Sequence, residues 1–366
     1  MNFQMIRVIS SPSSSTTGFL TVMRLITAPL VDGGKTAPGR REKRPLFYQL
    51  RYRLPNHFAT ARRFHGMFPG FEAMSSSHPV HNPDLSMPPT AARLRPDSIL
   101  SIYYLEGRFA AGFRINAPGF VGNWEEEDFS FLFFLEAADE TVAALVANTP
   151  GVKLLDRYEM SYQDWQGGAI TPFRLGKFLF NPPWLKAAAE KDDIAITLDA
   201  GVVFGNGMHA TTQDCLTAIS IAMAGGKVAT MIDLGCGTGI LSLAAAKLGC
   251  ARTLAVDLNE LAVRTTAENV RLNGLDRLIL PVVGRAEEQM GVACDLLVAN
   301  IHFQVMKKIV ASDDFPRQKW FILSGLLPSE AEKIVARLRR MPVSILKRWC
   351  SGQVWHTILG ITHERP

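Results

Sequence analysis

The sequence predicts an α/β protein: a doubly wound, mostly parallel seven-stranded sheet over residues 194–366, preceded by a smaller α+β domain at 99–164. Three observations carry this prediction. From Ile194 onward, continuous apolar runs alternate with amphipathic segments, as expected for strands buried on both faces and separated by helices. The last two runs, VSILKRW and QVWHTILGIT, have no helix between them and should pair antiparallel at an edge. A length of 366 residues with 47% hydrophobic and 20% charged residues allows a substantial core and about two domains.

The first 98 residues read differently. SSPSSSTT (10–17), the Gly/Pro breaks at 33–39, the basic run Arg40–Arg44 and SSSHPVHNPDLSMPPT (75–90) sustain neither a 3.6- nor a 2-residue period, so a disordered basic extension is expected. This stretch holds thirteen Lys/Arg against five Asp/Glu, which accounts for the net charge of +5 and leaves the remainder slightly acidic. The charge is therefore poor evidence for nucleic-acid binding. GFLTVMRLITAPLV is interrupted by Arg24 and Pro29 and is too short to span a bilayer. An Arg/Ser-rich, acid-poor start also suits an organelle presequence or an upstream coding extension, with Met74 and Met87 as alternative starts. Five cysteines without a CxxC pair or zinc-type Cys/His spacing imply a reducing compartment, hence a cytoplasmic protein without a metal site.

In the α+β domain, ILSIYYL, RFAAGFRI and FSFLFFLEA are short apolar runs, DETVAALVANT has a helical pattern, and GVKLLDRYEM reads as a strand. WQGGAITPFRLGKFLFNPPWLK is rich in Gly, Pro and aromatics, giving a linker at 165–193 with one short strand at 176–180. Next comes FGNGMHATT (204–212), followed by the helix QDCLTAISIAMAGG. Thr211 with Asp214 three residues later resembles a capping box, and Gly225-Gly226 supplies the helix end. Strands VATMIDLG, TLAVDL, LILPVVG, CDLLVANI and KWFILSG follow, separated by helices ILSLAAAKLG, ELAVRTTAENVRLNG, QVMKKIVAS and SEAEKIVARLRR.

The first of these strands runs into Asp233-Leu234-Gly235-Cys236-Gly237-Thr238-Gly239 and a helix begins at once. Glycines at such a turn let a ligand approach the backbone. The dinucleotide fingerprint G-x-G-x-x-G fails, because its third glycine falls on Ile240 or Ser242, and no G-x-x-x-x-G-K-[ST] phosphate loop is present. Asp257, ending the second strand, can accept both hydroxyls of an adenosine ribose. Asp233 disfavours a pyrophosphate and suits a ligand bearing an ammonium and a sulfonium. S-adenosylmethionine has these features and is the expected cofactor.

DLGCGTGILSLAAAKLG, AVDLNELAVRTTAENVRLNG, DLLVANI and LSGLL resemble the class I methyltransferases, and closely the ribosomal protein L11 lysine methyltransferase family. FGNGMHATTQDCL is similar to that family's FGTGTHxTT segment, with Asn206 and Met208 in place of its first two threonines, and PFRLGKFLFNPPW is similar to its linker. The resemblance spans about residues 165–360 and implies methyl transfer to a protein amine, on L11 or another protein. It also implies that the turn folds over the cofactor, with Phe204 nearby, Gly205 and Gly207 allowing close approach, and a hydroxyl such as that of Thr212 on the methionine carboxylate. His209 stands alone and reads as a backbone-satisfied histidine. Asn300-Ile301-His302-Phe303 occupies the spacing of the N-P-P-F/Y box of other amino-methyltransferases. On that reading Asn300 orients the acceptor amine, Phe303 offers a ring face to the methylated ammonium and His302, which departs from both families, relays the proton or is simply exposed; a turn-forming Asn300 and a core Phe303 are the plainer alternative. Met290 would flank the adenine with Glu287 or Glu288 near its amino group, a solvated helix face being the equal alternative for these acids. The same fold could serve an RNA or small-molecule acceptor, or bind the cofactor without catalysis. Without a basic, aromatic-interleaved stripe in the folded part, nucleic acid is the weaker expectation.

Overall fold

A computed structural model describes residues 94–110, 113–126 and 128–363. The expectations for the basic extension, the presequence and the alternative starts lie outside the described residues, except for 94–98. Those five residues belong to the fold: Leu94 is fully buried, and the carbonyls of Pro96 and Ser98 accept from the amides of Gln163 and Tyr162.

Strands β1 (Ile99–Glu106), β2 (Phe120–Glu126) and β3 (Phe129–Phe134), helix α1 (Asp139–Ala147) and strand β4 (Lys153–Ser161) form an antiparallel sheet ordered β2-β3-β1-β4. Tyr103, Leu105, Leu132 and Phe134 alternate onto the face that packs against Val142 of α1. Ala138, which precedes α1, has no side chain to cap it; the Tyr103 hydroxyl accepts from its amide at 2.7 Å instead. Arg108 and the Phe109 amide bind the Glu125 carboxylate of β2, a strand formed by the more polar FVGNWEE.

After the short helix α2 (Tyr162–Trp165), the linker holds more than one strand. Strands β5 (Phe173–Leu175) and β6 (Phe178–Asn181) make a hairpin, and β6 pairs in parallel with β7 (Ile194–Thr197). Phe178, Phe180 and Ile196 lie in the main core, so this segment is part of the body rather than a tether.

The remaining elements are α3 (Ala210–Gly225), β8 (Thr230–Leu234), α4 (Ile240–Lys247), β9 (Arg252–Asp257), α5 (Glu260–Leu272), β10 (Ile279–Val283), a 3₁₀ turn at Ala286–Gly291, and β11 (Leu296–Asn300). They are followed by α6 (Phe303–Ala311), a short 3₁₀ turn at Phe315–Arg317, β12 (Trp320–Leu326), α7 (Pro328–Leu338), β13 (Val343–Ser351) and β14 (Trp355–Thr362). The expected seven-stranded sheet is present, ordered β10-β9-β8-β11-β12-β14-β13, and β14 alone runs antiparallel to its neighbours. Successive strand residues alternate between two cores. Met231, Leu296, Val298 and Ile322 face the helices α3, α4 and α5, while Ile232, Leu297, Ala299 and Leu323 face α6 and α7. Burial on both faces explains why these strands read as unbroken apolar runs. The capping reading needs correction: α3 begins at Ala210, and its cap is His209, whose Nδ1 accepts from the Thr211 amide. No helix of the described residues is long and apolar enough to cross a membrane.

The four-stranded sheet meets the larger one through β2. A Cβ at Gly122 would press into Leu261 of α5 at 2.5 Å, and Arg114 pairs with Glu260 at 2.6 Å. On β14, a Cβ at Gly360 would collide with the Phe321 ring and stand 2.7 Å from the Ser344 carbonyl oxygen. Gly360→Val should therefore destabilise the fold by about 1–3 kcal/mol through overpacking, seen as a lower urea midpoint with an unchanged slope.

Candidate functional site

Strand order reverses between β8 and β11, and their carboxyl ends lie side by side, with Val298 opposite Asp233 and Ala299 opposite Leu234. Open α/β sheets bind ligands at such a reversal. Asp233 is buried there. Ser242, at one of the positions where a dinucleotide fingerprint would need glycine, donates its hydroxyl to Asp233 Oδ2 at 2.6 Å, while Oδ1 has no partner. Burial pushes the Asp233 carboxyl up to about 6, with Asp257 adding to the rise and the Ser242 hydrogen bonds opposing it. Asp257, ending β9, accepts from the Gly237 amide at 3.0 Å through Oδ2 and from the Asn259 amide at 2.9 Å through Oδ1. Each oxygen keeps a lone pair for a further donor. Burial raises this carboxyl too, against the pull of those backbone donors.

The glycine turn is fastened to FGNGMHATT. Thr238 donates its amide to the Phe204 carbonyl at 3.1 Å and its hydroxyl to the Gly205 carbonyl at 2.7 Å. At Gly237 (φ +55°) a Cβ would strike the Phe204 carbonyl oxygen, and at Gly235 (φ +77°) it would strike Ile301. A Cβ at Gly205 would press on Thr238, at Gly207 on Phe173 and Ile240, and at Gly239 on Thr266. These glycines thus allow a close approach of chain against chain, a packing requirement beside any approach of a ligand.

A hydrogen-bonded row crosses the crevice. Asn300 Nδ2 lies 3.2 Å from Thr211 Oγ1, which lies 2.7 Å from His209 Nδ1. His209 Nδ1 also accepts from the Thr211 amide, so its proton sits on Nε2 and the Thr211 hydroxyl donates towards the ring. Thr211 Oγ1 in turn accepts from the Asn300 amide nitrogen. The orientation of Asn300 is fixed from behind, and its buried Oδ1 is left without a partner. His209 is packed edge-on between Phe204 and Trp355, and burial holds its pKa below the usual value, which keeps it neutral. Among the described residues, no group of three or more His, Cys, Asp or Glu could hold a metal.

Other expected residues lie elsewhere. Thr212 is buried in the first turn of α3, and the link to Asn300 is made by Thr211. Both ends of the Asn206 amide are engaged, with Nδ2 on Gln166 and Oδ1 on the Met208 amide. Lys307 Nζ at 5.1 Å and Lys333 Nζ at 5.6 Å lie over the Phe303 ring, so that side chain braces α6 against α7. His302 is exposed at the N-terminus of α6. Met290 is buried in the core, and Glu287 pairs with Lys308 at 2.9 Å. Sequence reasoning missed Ser242, Trp355 and the role of Thr211; only Ser242, nine residues after Asp233 on the following helix, left a readable signal.

Residues 123–362 match the family model described as ribosomal protein L11 methyltransferase. The ribosomal protein L11 methyltransferase of Syntrophomonas wolfei is 35% identical over 188 residues, which cover 50% of this chain and 61% of that protein, less than two thirds of its length. That of Edwardsiella ictaluri is 31% identical over 248 residues, covering 64% of this chain and 83% of that protein. A crystal structure of ribosomal protein L11 methylase from Lactobacillus delbrueckii subsp. bulgaricus is similar over 53% of this chain and 100% of that one, with 29% identity and a TM-score of 0.47.

The raised Asp233 pKa has a definite sign for stability. Its value of about 6 exceeds the ordinary 3.8, so the folded state holds the proton more tightly than the unfolded chain. The stabilisation is complete below the ordinary value and is lost as pH rises through about 6. Chemical denaturation of wild type and Asp233→Asn should show this: the difference between them should slope across that window and be flat above it.

Proposed function

The chain belongs to the ribosomal protein L11 methyltransferase family, and from that premise we propose that it transfers a methyl group from S-adenosylmethionine to an amine of a protein. The acceptor is a lysine or α-amine of ribosomal protein L11 or of another protein. The observation that carries the reading is Asn300 Oδ1, a buried, unpartnered acceptor held by Thr211, with Asp233 Oδ1 a second unpartnered acceptor on the neighbouring strand.

The residues present suit the cofactor. Asp257 would hold the ribose hydroxyls with its free lone pairs, Asp233 would face the ammonium, and Gly235, Gly237, Gly239, Gly205 and Phe204 would line its path. When bound, S-adenosylmethionine supplies an electrophilic methyl on a positively charged sulfur. The chain's own work is to align an uncharged amine with that methyl. A free lysine of pKa about 10.4 needs about 4.6 kcal/mol to lose its proton at pH 7. Burial and a neighbouring positive charge both lower that cost. Asn300 Oδ1 would accept one N–H of the acceptor and turn the nitrogen lone pair forward. Fixed alignment of this kind contributes up to about 7–11 kcal/mol, so no strong base is needed and the proton can leave to water. Five free cysteines, four of them buried, support a reducing, cytoplasmic location.

The test incubates the protein with labelled methyl donor and purified L11 or total extract, with and without ribosomes, and identifies the labelled protein. Asn300→Ala should lose about 100-fold in turnover while keeping cofactor affinity by calorimetry. Asp257→Ala should lose measurable cofactor binding; an unchanged affinity would remove the ribose role. A wild type that binds the cofactor but labels nothing would favour the non-catalytic reading.

A further inference from the structure

Asn269 in the last turn of helix α5 and Asn273 at its C-cap, one turn on, treat the chain beside them as a strand partner. Asn273 Oδ1 accepts from the Thr197 amide at 2.9 Å, and its Nδ2 donates to the Thr197 carbonyl at 2.7 Å. Asn269 repeats this on Asp199: Oδ1 accepts from the Asp199 amide at 2.8 Å, and Nδ2 donates to the Asp199 carbonyl at 2.7 Å. The spacing explains the match. Four helical residues rise about 6 Å and two strand residues about 6.6 Å, so i, i+4 on a helix meets i, i+2 on an extended chain. The two clamps differ in where the second N–H goes: that of Asn273, which is half-buried, donates to the Asn269 carbonyl at 2.8 Å. Asn269, fully buried, uses its second N–H on the Thr238 carbonyl at 2.9 Å, inside the glycine turn.

Thr238 is the residue that fastens Phe204 and Gly205 to that turn. One amide side chain therefore ties together the segment leaving β7, the glycine turn and, through Thr238, the loop above the crevice. Thr266, also on α5, holds the adjacent Gly237 carbonyl at 2.9 Å, so two successive carbonyls of the turn are held by this helix. The Gly237 amide on the other side of that turn is the one bound to Asp257.

We propose that Asn269 is a positioning residue for the cofactor site: it sets the register between loop 199–205 and the glycine turn, and thereby cofactor affinity, without touching the cofactor. This rests on the cofactor reading given above. Asn273 is the internal control, since it makes the same two-bond clamp but no bond to the turn.

Calorimetry with S-adenosylhomocysteine as probe, together with hydrogen exchange on the cofactor-free protein, tests it. Asn269→Ala and Asn273→Ala should lower the melting temperature similarly. Only Asn269→Ala should weaken the probe by about tenfold and speed amide exchange across 200–209. Thr238→Val, which keeps the Asn269 clamp but removes the hydroxyl bond to Gly205, should reproduce the affinity loss and serves if Asn269→Ala does not fold. Equal affinities for wild type, Asn269→Ala and Thr238→Val, or equal losses in Asn269→Ala and Asn273→Ala, would overturn the proposal. A wild type that fails to bind the probe would overturn the cofactor reading instead.

Discussion

The reversal of strand order between β8 and β11 is the constraint on which the rest of this structure depends. The chain winds outward from β8 to β10, then returns to start β11 on the other side of β8. Helices on the two sides therefore diverge above one pair of strand ends, and every group of chemical interest gathers there. Asp233 comes from β8, Asn300 from β11 and Asp257 from the next strand out. At these strand ends two buried acceptors, Asp233 Oδ1 and Asn300 Oδ1, are left unpaired.

The electrostatics of the crevice follow from the same geometry. Burial pulls Asp233 and Asp257 towards their neutral forms and His209 away from its charged form. The row from Asn300 through Thr211 to His209 carries no formal charge, and its hydrogen bonds all point one way. A row of neutral dipoles can aim an acceptor atom without the desolvation cost of a buried ion pair.

What could be read from the sequence follows from the range of each interaction. The seven-stranded sheet was legible because strands buried on both faces are apolar along their whole length. Strand β2 was not, since Glu125 and Glu126 break its pattern and Glu125 is spent holding Arg108 and the Phe109 amide from a distant run. Asp233 and Asp257 were legible because each stands at a fixed offset from the glycines. The bond between Thr211 and Asn300 joins residues 89 apart and left no local trace. The bracing of Phe303 was partly visible in advance: Lys307 lies four residues on along the same helix, the distance at which a cation reaches a ring. The second lysine, from α7, was invisible without the fold. The glycines of FGNGMHATT stood out in the sequence, whereas the chain segments that press on them did not.

The place of β14 bears on how the polypeptide is made. Residues 355–362 do not form the rim of the large sheet; they sit between β12 and β13, hydrogen-bonded to both. A nascent chain on the ribosome can assemble β8 to β12 as soon as they emerge, yet β13 has no seat until the segment after it has cleared the exit tunnel. During that interval the outer side of β12 presents unpaired amides and carbonyls, the kind of exposed strand that recruits foreign partners. Completion of this sheet thus waits on residues 355–362, and a stop codon before Trp355 would leave β12 uncovered even though every residue of the crevice up to Asn300 had already been translated.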